Sequence, residues 1–512
     1  MDKTVYDALI IGSGFGGSMA AHQLVGAGMK VLMLERGSWV TRSPENWGMR
    51  GPVDLTAHYD SASPIRVEAG GNKKVMGLYT SVGGPSVFYG GVSFRFREQD
   101  FEANTEITSG SGAAWPLRYR DLEPYYGQAE NLLNISGEAG KDPTEPRRSA
   151  PFPQGPAPLA GISIRLKTAA EDLRLRPFQL PLAINYSDNG RPKCINCTTC
   201  DTYACAISAK NDLSVTVLPG LTSRGLTLRA NTVVTRLQAA GGRIRAVEGV
   251  CRETGRRLQF RARLVVLSAG ALASPHLLLA SGLHEMNPGG RVIGRYLMRH
   301  ANAIIFGIFP GKADPQTRFH KQLAIMDYYF GLPQTPGAWS KLGSLQQMPT
   351  PPAGLVQQAV PGILGKWLSR GVPLLTGLLA IAEDQPQFSN QLVIDRVRQD
   401  AFGLPQPVIR HHYTGRDRAA LGVLVREAKK ILRRSGAVAT YVHPIRTFSH
   451  AVGTVRMGYD PADSALDENC RFRGIGNLYV VDGSFMPTSA AVNPSLTIAA
   501  NALRIGEGIS KI

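Results

Sequence analysis

The chain has 512 residues, 43% of them hydrophobic and 19% charged, a balance that excludes a disordered or fibrous protein and leaves room for more than one core. Lys and Arg number 57 against 39 Asp and Glu, giving +18; such a field favours acidic partners, but no nucleic-acid motif accompanies it. No run reaches the ~18–20 apolar residues of a membrane span, and the N-terminus lacks a signal-peptide pattern, so a soluble, cytoplasmic chain is expected.

The first predicted element is an apolar strand, Ala8 to Ile11, followed by a tight glycine turn. A helix comes next, with Met19, Ala20, Leu24 and Val25 on its buried side, and then a second strand, Val31 to Leu34, ending at Glu35. Gly12, Gly14 and Gly17 form G-x-G-x-x-G: the first permits the turn, the second lets backbone approach a pyrophosphate, and the third lets helix and strand pack closely. The helix N-terminus offers free N–H groups and a positive dipole end to that phosphate. Glu35 stands where a carboxylate accepts hydrogen bonds from a ribose. This is a dinucleotide site, NAD or FAD.

Further along, "KDPTEPRRSAPFPQGPAPLAG" (141–161) reads as an irregular excursion rich in Pro and Gly. Then Cys194, Cys197, Cys200 and Cys205 form C-x2-C-x2-C-x4-C. Three readings compete. Disulfides would need cramped loops; zinc sites usually pair two separated C-x2-C knuckles; an iron–sulfur cluster suits the triple run, although Ala206 stands where a ferredoxin has proline. Reduced structural thiols remain an alternative. Cys251 and Cys470 stand alone and read as small buried hydrophobes. "LVQQAVPGILGKWLSRGVP" places Leu355, Val356, Val360, Ile363, Leu364, Trp367 and Leu368 on one face, broken by Pro361 and Gly362. A helix capping the substrate sheet, a lid, a membrane-surface helix or a docking helix would each use such a face, and its apolarity points towards a bulky or apolar substrate. Residues 417–436 predict a packed helix, apolar at Leu421, Leu424, Val425, Ala428, Ile431 and Leu432. Its opposite face carries Arg426, Lys429, Lys430 and Arg433.

A series of segments resembles, in family order, the landmarks of the glucose–methanol–choline (GMC) flavoprotein oxidoreductases: "GGPSVFYGGVSFR" (83–95), "WPLRYRDLEPYY" (115–126), "VVLSAGALASPHLLLASG" (265–282), "GRYLMRH" (294–300), "SHAVGTVRMG" (449–458) and "NLYVVDGSFMPTSAAVNPSLTIAANALR" (477–504). The resemblance implies an α/β fold. A discontinuous Rossmann-type FAD-binding domain (1–100, 208–300 and 446–512) would accompany an α+β substrate domain on an antiparallel sheet (301–445), with 101–207 as a connecting region. It assigns FAD to Gly12, Gly14, Gly17 and Glu35, to Gly83, Gly84, Ser86 and Gly91, to Val233 or Val234, and to Asp482 and Gly483. Because "GGPSVFYGG" holds no histidine, the FAD is expected to be non-covalent.

The same resemblance makes His450 the active-site base and Asn493 its partner in oxidising an alcohol. A hydroxyl must lose its proton as the hydride leaves, and imidazole suits that task. Glu383 is a pocket candidate or a structural carboxylate, and His300 a structural or pocket-edge residue. The cysteine loop resembles that of the iron–sulfur glucose dehydrogenase branch, which implies a 3Fe-4S or 4Fe-4S cluster passing electrons to a cytochrome or small-subunit partner. Two rival functions remain: a peroxide-forming alcohol oxidase with structural cysteines, and a flavin electron-transfer subunit of a membrane-associated complex.

Overall fold

The computed structural model describes residues 4–48, 60–69, 72–316, 318, 321–360 and 362–512; Pro361 lies outside them. At its centre β1 (Val5–Ile11) runs parallel to β2 (Val31–Leu34), and α1 (Phe15–Gly26) joins them. The inner half of β1, Ala8 to Ile10, is fully buried, as befits a strand covered on both faces. Arg257–Leu267 pairs with the other edge of β1 in parallel, and Leu478–Val480 adds to Arg257–Leu267, also in parallel. Thr227–Arg229 closes the β2 edge. A hairpin of Thr232–Ala240 and Arg243–Cys251 completes a seven-stranded sheet. The C-terminal helix, Ser495–Ile509, packs on α1. There Gly506 sits so close that a Cβ would lie 3.1 Å from the Ala20 carbonyl oxygen.

The second sheet has six strands in the order Ala439–Pro444, Ala301–Ile308, Leu375–Ala382, Gly343–Met348, Leu323–Ile325 and Phe178–Gln179, each antiparallel to its neighbours. Its last strand comes from the connecting region. Against it lies the helix Gly415–Arg434, capped by Thr414 and Asp417, with Leu424, Ala428, Ile431 and Leu432 buried as their spacing predicts. A third sheet of four strands joins Gln391–Gln399 and Pro405–His411 to Ile65–Ala69 and Asn72–Met76. Within it Pro405–His411 is parallel to Ile65–Ala69.

The expected single apolar face near residue 360 is instead split between two seven-residue helices, Ala353–Ala359 and Ile363–Ser369. Gly362, at φ 86°, turns the chain between them. Ile363 is 88% and Trp367 65% exposed, so this apolar surface faces solvent and gives no reason to expect an apolar substrate. Cys470 is buried as expected; Cys251 is not, because it ends the hairpin strand at an exposed turn. Among the described residues, no helix is long and apolar enough to cross a membrane.

Candidate active site

The two glycine segments meet at the C-terminal end of β1. Gly12, at φ 98°, lies so close to the next strand that a Cβ would sit 2.3 Å from the Ser268 carbonyl oxygen, a position open only to glycine. Gly14 has empty space where a side chain would be, and a Cβ on Gly84 would lie 3.1 Å from the Gly14 Cα. The two backbones thus form a cradle with one open wall. The Gly83 N–H donates to Ser13 Oγ at 2.9 Å, and Ser13 Oγ in turn donates to Glu35 Oε2 at 2.5 Å. Glu35 also accepts from the Ser13 and Gly37 N–H groups. Burial pushes its carboxyl upward, against the pull of these bonds. Ser86 Oγ donates to the Gly83 carbonyl and accepts from the Leu213 N–H, which fixes the second loop. Gly91, at φ 80°, accepts from Ala183 N–H at 2.7 Å. Val233 and Val234 are buried at the start of their strand, where Thr232 N–H donates to the Glu35 carbonyl.

Asp482 ties the far side of the cradle together. Its carboxylate accepts from the Gly270 N–H at 3.0 Å, from Ser274 Oγ at 2.5 Å and from the Ser484 N–H at 2.9 Å. Two buried hydroxyls here, Ser268 Oγ and Ser484 Oγ, have no partner. Buried polar groups are normally paired, so orphan hydroxyls beside a glycine cradle and a helix N-terminus suit a phosphate-rich dinucleotide. These residues therefore fit FAD. Ser268 lies within the 265–282 landmark, and its packing against Gly12 is what places it at the cradle.

Gly483 passes this frame to the second cluster, because its carbonyl accepts from Gly453 N–H at 3.1 Å in the His450 segment. His450 and Asn493 come together as expected: Asn493 Nδ2 is 3.3 Å from His450 Nε2. The other ring nitrogen, His450 Nδ1, is 3.0 Å from Nδ1 of His300, and His300 Nε2 is 3.1 Å from the Ser489 carbonyl oxygen. Burial pushes His300 down to about 4, and burial with the His300 charge pushes His450 down to about 3. Both imidazoles are neutral at pH 7. Gln346, on the strand Gly343–Met348, donates from Nε2 to Asn493 Oδ1 at 2.9 Å. Cross-strand register puts Asn302 and Ser344 in one row through Ile381, and Ser344 Oγ donates to the Ala491 carbonyl. Side chains on that face of the antiparallel sheet thus point at the 489–493 segment. Asn302 Oδ1 and Gln346 Oε1 are buried there without partners. Neither residue belongs to a motif, and only strand register places them.

Glu383 lies behind this site in a buried ionic network. Its Oε1 accepts from Ala490 N–H at 3.0 Å, and its Oε2 is 3.5 Å from Lys341 Nζ. Lys341 is 2.9 Å from Asp100 Oδ1, and Tyr329 Oη bridges Asp100 to the Ala491 N–H. Its neighbour Asp384 accepts from the N–H groups of Arg299 and His300 and from Ser489 Oγ. Together the two carboxylates grip the backbone on both sides of the histidine pair.

The structure gives no support to an iron–sulfur cluster at the four clustered cysteines. All six cysteines are free thiols, and among the described residues no group of three or more His, Cys, Asp or Glu side chains is arranged to hold a metal ion. Cys194 Sγ accepts from Asn196 N–H, and Cys197 Sγ faces Thr199 Oγ1. Burial pushes Cys194 up to about 12 and Cys200 well above its usual value. The loop is pinned instead by Lys210, whose Nζ donates to the carbonyls of Tyr89, Cys200 and Tyr203 at 2.7–2.9 Å. Asp201 pairs with Lys321 at 2.7 Å, and the Lys321 charge is felt at His450. Thus the cysteine loop is tied electrostatically to the candidate site through Asp201 and Lys321.

Two glycine segments shaped to take a dinucleotide, beside a partly buried histidine and asparagine, define a flavoprotein oxidoreductase. The chain belongs to the GMC oxidoreductase family, whose models match residues 6–302 and 386–502. Among its relatives is the 6'''-hydroxyparomomycin C oxidase of Streptomyces lividus, 31% identical over 99% of this chain and 91% of that protein. The fructose dehydrogenase large subunit of Gluconobacter japonicus is 27% identical over 98% of this chain and 97% of that protein. The crystal structure of pyridoxine 4-oxidase from Mesorbium loti superposes with a TM-score of 0.67 at 20% identity, covering 99% of both chains, and supports the fold.

Proposed function

We propose that the protein oxidises a C–OH group of a polyhydroxylated, sugar-type alcohol, with His450 as base and Asn493 as positioning donor. One observation carries the reading: His450 Nε2 and Asn493 Nδ2 lie 3.3 Å apart in a partly buried site stitched to the dinucleotide cradle through Gly453 and Gly483. Non-covalent FAD, held by Gly12, Gly14, Gly17, Gly83, Gly84 and Asp482, supplies the two-electron hydride acceptor. The chain supplies the rest. The neutral imidazole takes the hydroxyl proton as the α-hydrogen leaves with its electron pair, so that alcohol becomes carbonyl. An amide N–H of Asn493 holds the oxygen while its charge grows. Asn302 Oδ1 and Gln346 Oε1, buried and unpartnered, offer acceptors for further hydroxyl or ammonium groups. The names of the relatives point the same way.

The four thiols carry no step here. The test is anaerobic flavin bleaching with a panel of neutral sugars, amino sugars and diols. Replacement of His450 by Ala should slow bleaching by about 10²-fold or more; an unchanged rate would remove the base role.

A further inference from the structure

We infer that His300 positions the catalytic base, by fixing the proton of His450 on Nδ1 and leaving Nε2 bare. The Ser489 carbonyl oxygen, 3.1 Å from His300 Nε2, can only accept, so His300 Nε2 carries a hydrogen. A neutral imidazole has one N–H, which leaves a lone pair on His300 Nδ1. That lone pair is 3.0 Å from His450 Nδ1. Two lone pairs would repel at this distance and two hydrogens would collide, so His450 donates from Nδ1. Its Nε2 is then an acceptor, and it faces Asn493 Nδ2, a donor, at 3.3 Å. Asn493 Oδ1 accepts in turn from Gln346 at 2.9 Å. Five groups form one chain with a single polarity, anchored at a backbone carbonyl that cannot be reversed.

Desolvation holds both imidazoles neutral, His300 fully buried and His450 partly buried, and the rings are held edge to face with centroids 5.1 Å apart. The His300 backbone is strained, at φ 62°, a cost non-glycine residues bear only where surroundings compel it. Here the N–H donates to Asp384, and the carbonyl accepts from Tyr413 Oη at 2.7 Å. This bracing directs the ring at His450. An orienting partner that sets the imidazole tautomer is a known requirement of histidine bases in other enzymes; in this chain the partner is a second histidine.

The positioning role rests on the proposed function, but the tautomer does not, and the experiment separates them. The holoenzyme labelled with 15N-histidine would be examined by long-range 1H–15N correlation, with the His450→Gln variant assigning the signal. The expected result is a pyrrole-type shift at His450 Nδ1 and a pyridine-type shift at Nε2; the reverse pattern overturns the inference. His300→Leu should scramble that signature and slow anaerobic flavin bleaching about 10²-fold. His300→Asn, whose Oδ1 can still accept from His450 Nδ1, should keep the signature and recover most of the rate. If His300→Leu keeps both signature and rate, His300 does not position the base. If no panel alcohol bleaches the wild type, the proposed function fails, while the wild-type spectrum still decides the tautomer.

Discussion

Replacing Lys341 by Met tests how the ionic network behind the site supports it. The ammonium lies 2.9 Å from Asp100 and 3.5 Å from Glu383, and its side chain is 4% exposed. Methionine of similar length removes the charge and leaves two carboxylates in the interior. Breaking a buried pair by deleting one partner costs about 3–5 kcal/mol, and for a chain of this size that lowers Tm by about 4 °C if it unfolds as a unit. Glu383, whose carboxyl burial already raises, would take up a proton and weaken its grip on Ala490 N–H. The 490–493 segment would shift, and a displacement of about 1 Å at Asn493 costs about 10²-fold in rate. Thermal unfolding and stopped-flow flavin bleaching measure the two effects. Adding Glu383→Gln removes the second uncompensated charge, so the double variant should lose less stability than the two single losses combined. A Lys341→Met protein with unchanged Tm and bleaching would refute the reasoning.

Other outcomes follow from the same geometry. Gly12→Ala should abolish FAD retention on gel filtration, because its Cβ would meet the Ser268 carbonyl at 2.3 Å; retained flavin would contradict the cradle. Four histidines, the buried His276 and His300 at about 4, the buried His411 at about 3 and the partly buried His450 at about 3, are held below their usual value mainly by desolvation. Each is neutral when folded but charges in the unfolded chain below pH ~6.5, so its stabilisation is present above that pH and lost as pH falls towards 4. Asp384, raised to about 7 chiefly by burial, works in the opposite direction over this window. Glu35, Glu383 and Asp482, also raised by burial, oppose the histidines too, so the test is by difference: Tm of a His411→Gln variant should fall less steeply than that of the wild type from pH 6.5 to 4, and an identical slope would contradict it. Cys200→Ser should leave flavin content and bleaching rate unchanged, since no step passes through the thiols; loss of both would restore the cluster reading. Reoxidation followed with an oxygen electrode and with a dye acceptor would separate oxidase from dehydrogenase chemistry.

The dinucleotide cradle was legible in the sequence because glycine spacing, strand and helix are local and leave a contiguous signature. His450 and Asn493 were legible only through the family resemblance, since 43 residues separate them and nothing local joins them. The network around them was not. Gln346, Asn302 and Asp384 reach the site through register in an antiparallel sheet, and Lys341 through burial beside Asp100; such long-range pairing leaves no mark in a single chain. The cysteine run is also local, but its spacing alone does not show what the thiols hold; among the described residues no metal-holding group forms, and Lys210 binds the loop carbonyls. The apolar pattern near residue 360 misled because one periodicity served two short helices turned by Gly362.

The central claim is that this chain removes a hydride from an alcohol carbon. Anaerobic stopped-flow mixing of the wild-type holoenzyme with sugars and amino sugars, each protiated and deuterated at the reacting carbon, tests it most directly. The account predicts bleaching of the flavin band by at least one alcohol, with a slower rate on deuteration. A flavin that stays oxidised with every alcohol, or bleaching accompanied by no carbonyl product, would contradict it.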